Sequence, residues 1–430
     1  MSRQAAIRVG LACAVLLGAC DSSEDNATPG TIAPSSTTAA PRVDDGVLRI
    51  GVLLPSSGPG GSIMQSARAA VRAAVMLANE NGGVNGKDVV LLVRDEGADA
   101  TTAAVVLEQL LASNVDAIIG PASSNTTIAL APTIIDAGVA ACSPSASALS
   151  LDDFPDNGLF FRTIPSDSLQ AEAMAKVIEQ TGVTSAAIAY VDDGYGRPLE
   201  RVLQVRLRSR GITVSSSVAF SVDDAGYVTE AERLVSSGKG AIALIGDQEA
   251  GSRMLAALAD ATSNEPRDIV VNDALRQPWS LSLLGSVTAE TRARIVGVSP
   301  AVLTANEELL AQVVAQDPAA TGLFAGQAYD CANVFMLAAM KTGSTQPVTI
   351  AAAVPDISSV GSSCATFERC AVLLAEDRSI DYEGADGILA IGADGDLITA
   401  RYEQFSFDDN GRDVTLQTIA VSSFGTTLGS

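Results

Sequence analysis

Short apolar runs alternate with stretches of helical periodicity along most of the chain, beginning near residue 47. Residues 48–54 predict a buried β-strand, because the run is mostly apolar and contains β-branched side chains. Apolar residues within 67–78 then recur at the i, i+3, i+4 and i+7 spacing of one helix face. Residues 81–86 read Asn-Gly-Gly-Val-Asn-Gly and predict a turn, where glycine is free to adopt positive φ.

The same alternation continues through the next sixty residues. It predicts strands at 89–93, 115–119 and 139–142, with helices at 101–113 and 126–137. A β-α-β-α order implies parallel strands with helices on both faces of the sheet.

A second series then begins and predicts a second sheet domain of the same kind. Its helices are expected at 168–181, 197–210, 227–237 and 250–261, and its strands at 186–191, 214–220, 241–245 and 269–272. Further helices at 306–316 and 328–342, and closing strands near 388–392 and 401–407, have to be shared between the two domains.

Composition excludes several classes of function. The 430 residues contain no histidine, so the chain has no Ser-His-Asp or Cys-His nucleophile and no His-ligated zinc or haem. A net charge of −23 would repel a phosphate backbone, which argues against a nucleic-acid partner. Paired carboxylates at Asp192-Asp193 and Asp95-Glu96 are typical of solvated turns. We therefore expect no enzyme, no cofactor and no metal site.

The N-terminus predicts export and a lipid anchor. Arg3 and Arg8 precede an apolar run at 9–19 that is too short to span a membrane and is typical of a signal peptide. The run ends Leu-Gly-Ala-Cys and resembles a bacterial lipobox, in which Cys20 is acylated and becomes the first mature residue. The alternative is ordinary cleavage after small residues. Residues 20–46 lack apolar periodicity and predict a flexible linker.

Several motifs in order along residues 47–408 resemble the leucine/isoleucine/valine-binding protein family. They comprise Ile50-Gly51-Val52-Leu53-Leu54-Pro55, Asn79-Glu80-Asn81-Gly82-Gly83-Val84-Asn85-Gly86-Lys87, Ile119-Gly120-Pro121-Ala122-Ser123-Ser124, Ser143-Pro144-Ser145-Ala146-Ser147, Phe161-Arg162-Thr163 with Pro165-Ser166-Asp167, Asp193-Gly194-Tyr195-Gly196 and Ala328-Tyr329-Asp330. The resemblance implies an α/β fold of the type I periplasmic-binding-protein kind. Two doubly wound parallel-sheet lobes would be joined by three crossover hinge segments, with a ligand between them.

This resemblance also implies domain boundaries. Residues 1–19 would be the signal peptide and 20–46 the linker. Lobe 1 would comprise 47–164 and 299–384, and lobe 2 would comprise 165–298 and 385–430.

Serines at two strand ends are the first candidates for ligand binding. Ser124 opens a helix after one predicted strand, and Ser145 and Ser147 follow the next strand. Ligands of open α/β sheets lie beyond such strand ends, where helix N-termini favour anions. The resemblance implies that these three serines hold a ligand carboxylate. The alternative is that Ser123 or Asn125 is an N-cap and the serine-rich loop a turn.

The resemblance implies further ligand contacts. Tyr195 would cover the ligand from lobe 2, and Asp273 would face its ammonium group. Gln248, Glu249 and Gln327 lie at other strand or helix ends. Where leucine binders carry an aromatic ring after the first strand, this chain has Ser62 or Ile63, which leaves the ligand side chain open.

Four further cysteines follow Cys13 and Cys20, and disulfides persist in exported proteins. Cys364 and Cys370 enclose a short loop and resemble a cysteine pair of actinobacterial family members, which implies a disulfide. For Cys142 and Cys331, two buried thiols and a distant bridge both remain open.

The predicted function is that of an extracytoplasmic binding protein for an ABC importer. It would capture a small solute, most plausibly a branched-chain or related amino acid, and deliver it as a monomer to a permease and ATPase complex. The alternative is a sensing protein that binds amides or amino acids and acts through a signalling partner.

Replacement of Cys20 by Ala tests the anchor. Without the acylated thiol, the protein should be released into the medium or remain as unprocessed precursor. Intact-mass analysis of the native protein should find Cys20 as the acylated first residue. A mature N-terminus elsewhere, without acyl mass, would contradict the prediction.

Overall fold

The computed structural model describes residues 44–247, 249–276, 287–300 and 306–422, and two large β-sheets organise them. The first sheet has five parallel strands in the order β2-β1-β3-β4-β5. Its strands are β1 (Arg49–Leu54), β2 (Val90–Asp95), β3 (Ala117–Ile119), β4 (Ala140–Ser143) and β5 (Phe160–Arg162). This sheet is the centre of lobe 1.

Helices cover both faces of the first sheet, as the β-α-β-α order predicts. They are α1 (Gly58–Ile63), α2 (Gln65–Glu80), α3 (Ala100–Ala112) and α4 (Ser124–Asp136). Val52 and Leu54 belong to the core on the α2 face, whereas Leu53 belongs to the core on the α3 and α4 face. Because successive strand side chains point to opposite faces, one apolar run supplies both cores.

The second sheet is the centre of lobe 2 and has seven strands in the order β14-β13-β10-β9-β8-β6-β7. Strands β6 to β10 pair in parallel, and β13 and β14 add an antiparallel edge. The strands are β6 (Ser185–Val191), β7 (Thr213–Phe220), β8 (Ala241–Ile245), β9 (Ile269–Val271), β10 (Ile295–Pro300), β13 (Thr399–Phe407) and β14 (Asp413–Ser422). The helices are α5 (Asp167–Gln180), α6 (Gly196–Ser209), α7 (Val228–Ser236), α8 (Glu249–Ala261) and α9 (Ala289–Arg292).

Between β10 and β13 the chain returns to lobe 1. The returning elements are α10 (Glu307–Gln316), α11 (Ala325–Thr342), α12 (Pro347–Ile357), β11 (Ser362–Cys364), α13 (Phe367–Ala375) and β12 (Ile380–Tyr382). Helix α11 is buried along most of its length and packs against α2. Lobe 1 is therefore built from two segments that are distant in sequence.

Three crossovers join the lobes: residues 163–166, the connection from β10 to α10, and residues 383–398. The expected boundary at 385 differs from the observed packing, because Leu389, Ile391 and Leu397 are buried in the core of lobe 1. At the expected boundary of 299, β10 continues to Pro300 within the second sheet.

Most differences from the predicted elements lie in the last third of the chain. The strand expected at 388–392 is wrong, since only an isolated bridge between Ile391 and Leu397 forms there. Strands β5, β10 and β14 were not predicted. Residues of β14 are mostly exposed, so no apolar run marks it.

Two disulfides lie in lobe 1. Cys142 of β4 is bonded to Cys331 of α11, and both residues are fully buried. The open question about this pair is therefore answered by a bridge that joins the two segments of lobe 1. Cys364 and Cys370 form the second disulfide.

Removal of the Cys142–Cys331 bridge should destabilise the protein far more than removal of the other bridge. The model of restricted unfolded-chain entropy gives about 5 kcal/mol for a separation of 189 residues and about 2 kcal/mol for a separation of 6. The double variant Cys142→Ala/Cys331→Ala should lower the urea midpoint accordingly.

The matched control is Cys364→Ala/Cys370→Ala. Equal midpoints for the two double variants would contradict the entropic argument. Peptide mapping without reductant should first establish that the native protein contains both bridges.

Candidate ligand-binding site

The predicted serines lie on two loops of lobe 1 that are hydrogen-bonded to each other. The backbone N–H of Ala148 donates to Ser124 Oγ at 3.2 Å, and Ser145 Oγ donates to the Ala122 carbonyl at 2.7 Å. Ser123 is the N-cap of α4, because its hydroxyl accepts from the Thr126 N–H at 3.1 Å. Ser123 is therefore the predicted N-cap, and the same turn carries Ser124, which is predicted to bind the ligand.

Ser147 connects this loop to lobe 2 through Asp167, the first residue of α5. Asp167 is only 2% exposed. Its backbone N–H donates to the Ser147 carbonyl at 2.9 Å, and its carboxyl is hydrogen-bonded to the Ser147 side chain. An acidic group thus lies directly against the loop expected to hold the ligand.

Tyr195 and Asp273, both in lobe 2, lie close to Asp167. Asn272 Nδ2 donates to the Tyr195 hydroxyl at 2.9 Å, and the hydroxyl donates to Gln170 Oε1 at 3.4 Å. Gln170 is in turn hydrogen-bonded to Asp273. We call Ser147, Asp167, Gln170, Tyr195, Asn272 and Asp273 the interlobe cluster.

The interlobe cluster places two carboxyl groups and a phenol where water is scarce. Burial raises the pKa of Asp167 well above its usual range, and the charge of Asp273 raises it further. Burial likewise raises the pKa of Asp273 and of the Tyr195 hydroxyl. Two mutually repelling buried carboxylates favour either a proton or a cation between them.

The remaining predicted residues lie elsewhere. Ile63 is half-buried against the lobe 1 core, and Ser62 is exposed. Glu249 is exposed and forms an ion pair with Arg253 at 3.3 Å. Gln248 and Cys20 lie outside the described residues.

Gln327 lines a cavity of about 730 Å³ at the crossovers. Residues from all three crossovers form its wall, including Thr163, Pro300 and Asp386, together with Arg401 and Glu403 of β13. No residue of the interlobe cluster lines this cavity. The structure therefore separates Gln327 from Ser147, Tyr195 and Asp273.

The buried cation of Arg162, at the end of β5, connects two parts of the chain. They are the loop of residues 144–152, called the serine loop below, and the third crossover. The Arg162 side chain is fully buried, and its Nε donates to Asp396 at 2.6 Å while Nη2 donates to Asp152 at 2.7 Å. Its Nη1 donates to the Ala148 carbonyl at 3.1 Å. The loop carrying Ser147 is thus fixed to the end of β5 and to the third crossover, which precedes β13 of lobe 2.

Sequence reasoning missed Asp167, Gln170 and Asn272 as members of the cluster. An acidic residue that opens a helix is commonly placed there by the helix dipole alone, so Asp167 was named only within the Pro165-Ser166-Asp167 motif and not as a ligand contact. Its position directly after a crossover was the available clue.

Two α/β lobes with polar groups converging from both sides define a solute-binding protein of the type I fold. A family model described as periplasmic binding protein matches residues 47–369, about three quarters of the chain. The chain therefore belongs to the periplasmic binding protein family, in its leucine/isoleucine/valine-binding group. Membership implies an extracytoplasmic location.

Individual relatives agree with this assignment. The chain is 31% identical to the chemotactic signal transduction system substrate-binding protein BasB of Halobacterium salinarum, over 79% of this chain and 82% of that protein. It is 24% identical to Leu/Ile/Val-binding protein homolog 3 of Brucella melitensis, over 84% and 92%. The structure of the leucine-binding protein LivK of Thermotoga maritima matches with a TM-score of 0.68 at 18% identity, over 87% and 99%, and shows the same fold.

The described residues show neither a candidate membrane-spanning helix nor a candidate metal site. None of their helices combines the length and apolar character needed to cross a membrane. Within the same ranges, no group of three or more Cys, Asp or Glu side chains is arranged to hold a metal ion.

Arg162→Met should destabilise the protein by about 3–5 kcal/mol at pH 7, because it leaves Asp152 and Asp396 without their buried cation. Burial outweighs the guanidinium and already raises the pKa of Asp396 to about 6 in the native protein. Below that pH the carboxyl is protonated and no longer needs a cation. The deficit in the urea midpoint should therefore shrink between about pH 7.5 and about pH 5.

Arg197→Met is the control, since Arg197 and Asp192 form an exposed ion pair. Its midpoint should equal that of the wild type at both pH values. If Arg162→Met changed the urea midpoint as little as Arg197→Met does, the buried network would not stabilise the lobes.

Proposed function

We propose that the protein binds a small zwitterionic α-amino acid of the branched-chain class between its lobes. The observation that carries the proposal is the convergence of Ser147 from lobe 1 and of Tyr195 and Asp273 from lobe 2 on the buried Asp167. Ser124, Ser145 and Ser147 would bind the carboxylate. Asp273 and Asp167 would bind the ammonium group.

Charge supports the ammonium end of this proposal. Burial makes ionisation of both Asp167 and Asp273 costly, and the charge of Asp273 adds to the cost for Asp167. A bound ammonium group would replace that repulsion with two attractions in a medium of low dielectric. The Tyr195 ring, half-buried beside both acids, would cover the ligand.

Helix geometry supports the carboxylate end. Ser124 is the first residue of α4, whose N-terminus presents backbone N–H groups and a partial positive charge. Ser145 and Ser147 lie on the adjoining loop, which hydrogen bonds fix to this turn. The ligand side chain would then meet Ile63, an apolar residue where other leucine binders carry a ring.

Delivery to a permease and ATPase complex is the proposed role of the bound state. Lobe 2 would close over lobe 1 about the three crossovers, and the closed form would dock on the permease. A lipid on Cys20 and the linker of residues 20–46 would keep the monomer at the outer face of the cytoplasmic membrane.

Sensing is the second candidate, and the likeness to the chemotactic protein BasB favours it. Deletion of the gene separates the two roles. An importer component should be needed for uptake of labelled leucine, whereas a sensor should be needed only for the response to leucine. Adjacent genes for permeases and ATPases would further favour import.

Ser147→Ala tests the carboxylate assignment. The substitution removes one hydrogen bond to a charged group, worth about 1.5–3 kcal/mol, so leucine affinity should fall roughly ten- to a hundredfold. Calorimetric titration measures it. Ser150→Ala is the control, because Ser150 is exposed in the same loop. Unchanged affinity in Ser147→Ala would overturn the assignment.

Asp273→Asn tests the ammonium assignment. Leucine should bind at least tenfold more weakly, since about 1.4 kcal/mol of lost attraction corresponds to one order of magnitude. The analogue 4-methylpentanoate, which lacks the amino group, should bind no worse than to the wild type. Asp260→Asn, at an exposed position, is the control. Equal losses for both compounds would favour an amide or organic-acid ligand instead.

A further inference from the structure

Glu96 directly follows β2 and is a buried carboxylate, so the expectation of a solvated turn at Asp95-Glu96 is wrong for this residue. It is 3% exposed, and its Oε2 accepts the backbone N–H of Ala122 at 2.8 Å. The carboxylate is also hydrogen-bonded to the Ser123 backbone and the Thr126 hydroxyl. All three partners lie in the turn that starts α4.

This turn is the one that presents Ser124. Ala122 is held from two sides, because Glu96 accepts its N–H while its carbonyl accepts the Ser145 hydroxyl at 2.7 Å. Gly120 precedes the turn with φ +114°, and a Cβ there would collide with the Leu53 carbonyl. The backbone is therefore fixed at its entry by sterics and at its centre by Glu96.

We propose that Glu96 is a positioning residue that holds the 122–126 turn and whose negative charge competes with the ligand carboxylate for the N-terminus of α4. The proposal rests on the function proposed above, in which a carboxylate binds at Ser124. Protonation of Glu96 removes the competing charge while its carbonyl oxygen still accepts a hydrogen bond. Ligand affinity should consequently rise as Glu96 gains a proton.

The surroundings of Glu96 place this change near neutral pH. Burial raises its pKa to about 7 against the lowering effect of the hydrogen bonds, and the charge of Asp95 on its own strand raises it slightly more. Arg68 of α2 faces Asp95 and offsets part of that charge. An incoming carboxylate would raise the pKa again, so binding takes up a proton and weakens as the pH rises through 7.

Leucine titrations at about pH 6 and about pH 8 test the charge coupling. With a pKa of about 7 that binding raises by up to one unit, Glu96 alone should make wild-type affinity up to about fivefold higher at the lower pH. Ammonium binding at Asp167 and Asp273 would release a proton and act in the opposite direction in both proteins, so the comparison is between variants. The ratio of affinity at the lower pH to affinity at the higher pH should be up to about fivefold smaller in Glu96→Gln than in the wild type. Glu108→Gln, at an exposed position of α3, should keep the wild-type ratio. A wild-type ratio in Glu96→Gln would assign the proton to another group and overturn the coupling.

Hydrogen exchange in the ligand-free protein tests the positioning role separately. Glu96→Ala should speed exchange of the Ala122, Ser123 and Ser124 amides, whereas Glu96→Gln should retain most protection because its amide oxygen still accepts. Wild-type exchange rates in Glu96→Ala would overturn the role. If exchange changes as expected but the wild type binds no leucine, the proposed function fails while the positioning role stands.

Discussion

A single buried guanidinium sets the relation between the serine loop and the hinge. Arg162 has no exposed side-chain surface, and a charge removed from water needs partners for its donors. Those partners are Asp152 and the Ala148 carbonyl from the serine loop, and Asp396 from the third crossover. Because these contacts must form together, the loop, the end of β5 and the third crossover are fixed as one unit.

The interlobe cluster extends this unit into lobe 2. Ser166 donates to Asp152 at 2.8 Å, and the next residue, Asp167, contacts Ser147. A rotation of lobe 2 about the crossovers therefore moves Asp167 and Asp273 relative to the serines that precede the hinge. The charges of a bound ligand would interact with groups whose separation depends on the interlobe angle. The binding energy would therefore favour one interlobe angle over others.

Hydrophobic periodicity was sufficient for most of the parallel strands and their helices, because strands covered on both faces are continuous apolar runs, although it did not identify the parallel strands β5 and β10. It failed for β14, an antiparallel edge strand with mostly exposed side chains, and for the region 388–392, where apolar residues complete the core of lobe 1 without forming a strand. Ser124, Ser145 and Ser147 were predictable as strand-end polar groups. The pairing of Arg162 with Asp396 spans 234 residues, and no local pattern encodes it.

The Cys142–Cys331 bridge also has a consequence for biogenesis. The chain is synthesised from its N-terminus. Cys142 therefore has no native partner until the lobe 2 elements from α5 to β10 have been made. Cys364 and Cys370 emerge within six residues of each other and soon after Cys331. Four thiols allow three pairings, and the native one joins Cys142 to the first of its three possible partners to be synthesised. The bridge can therefore form only after synthesis has reached the second segment of lobe 1.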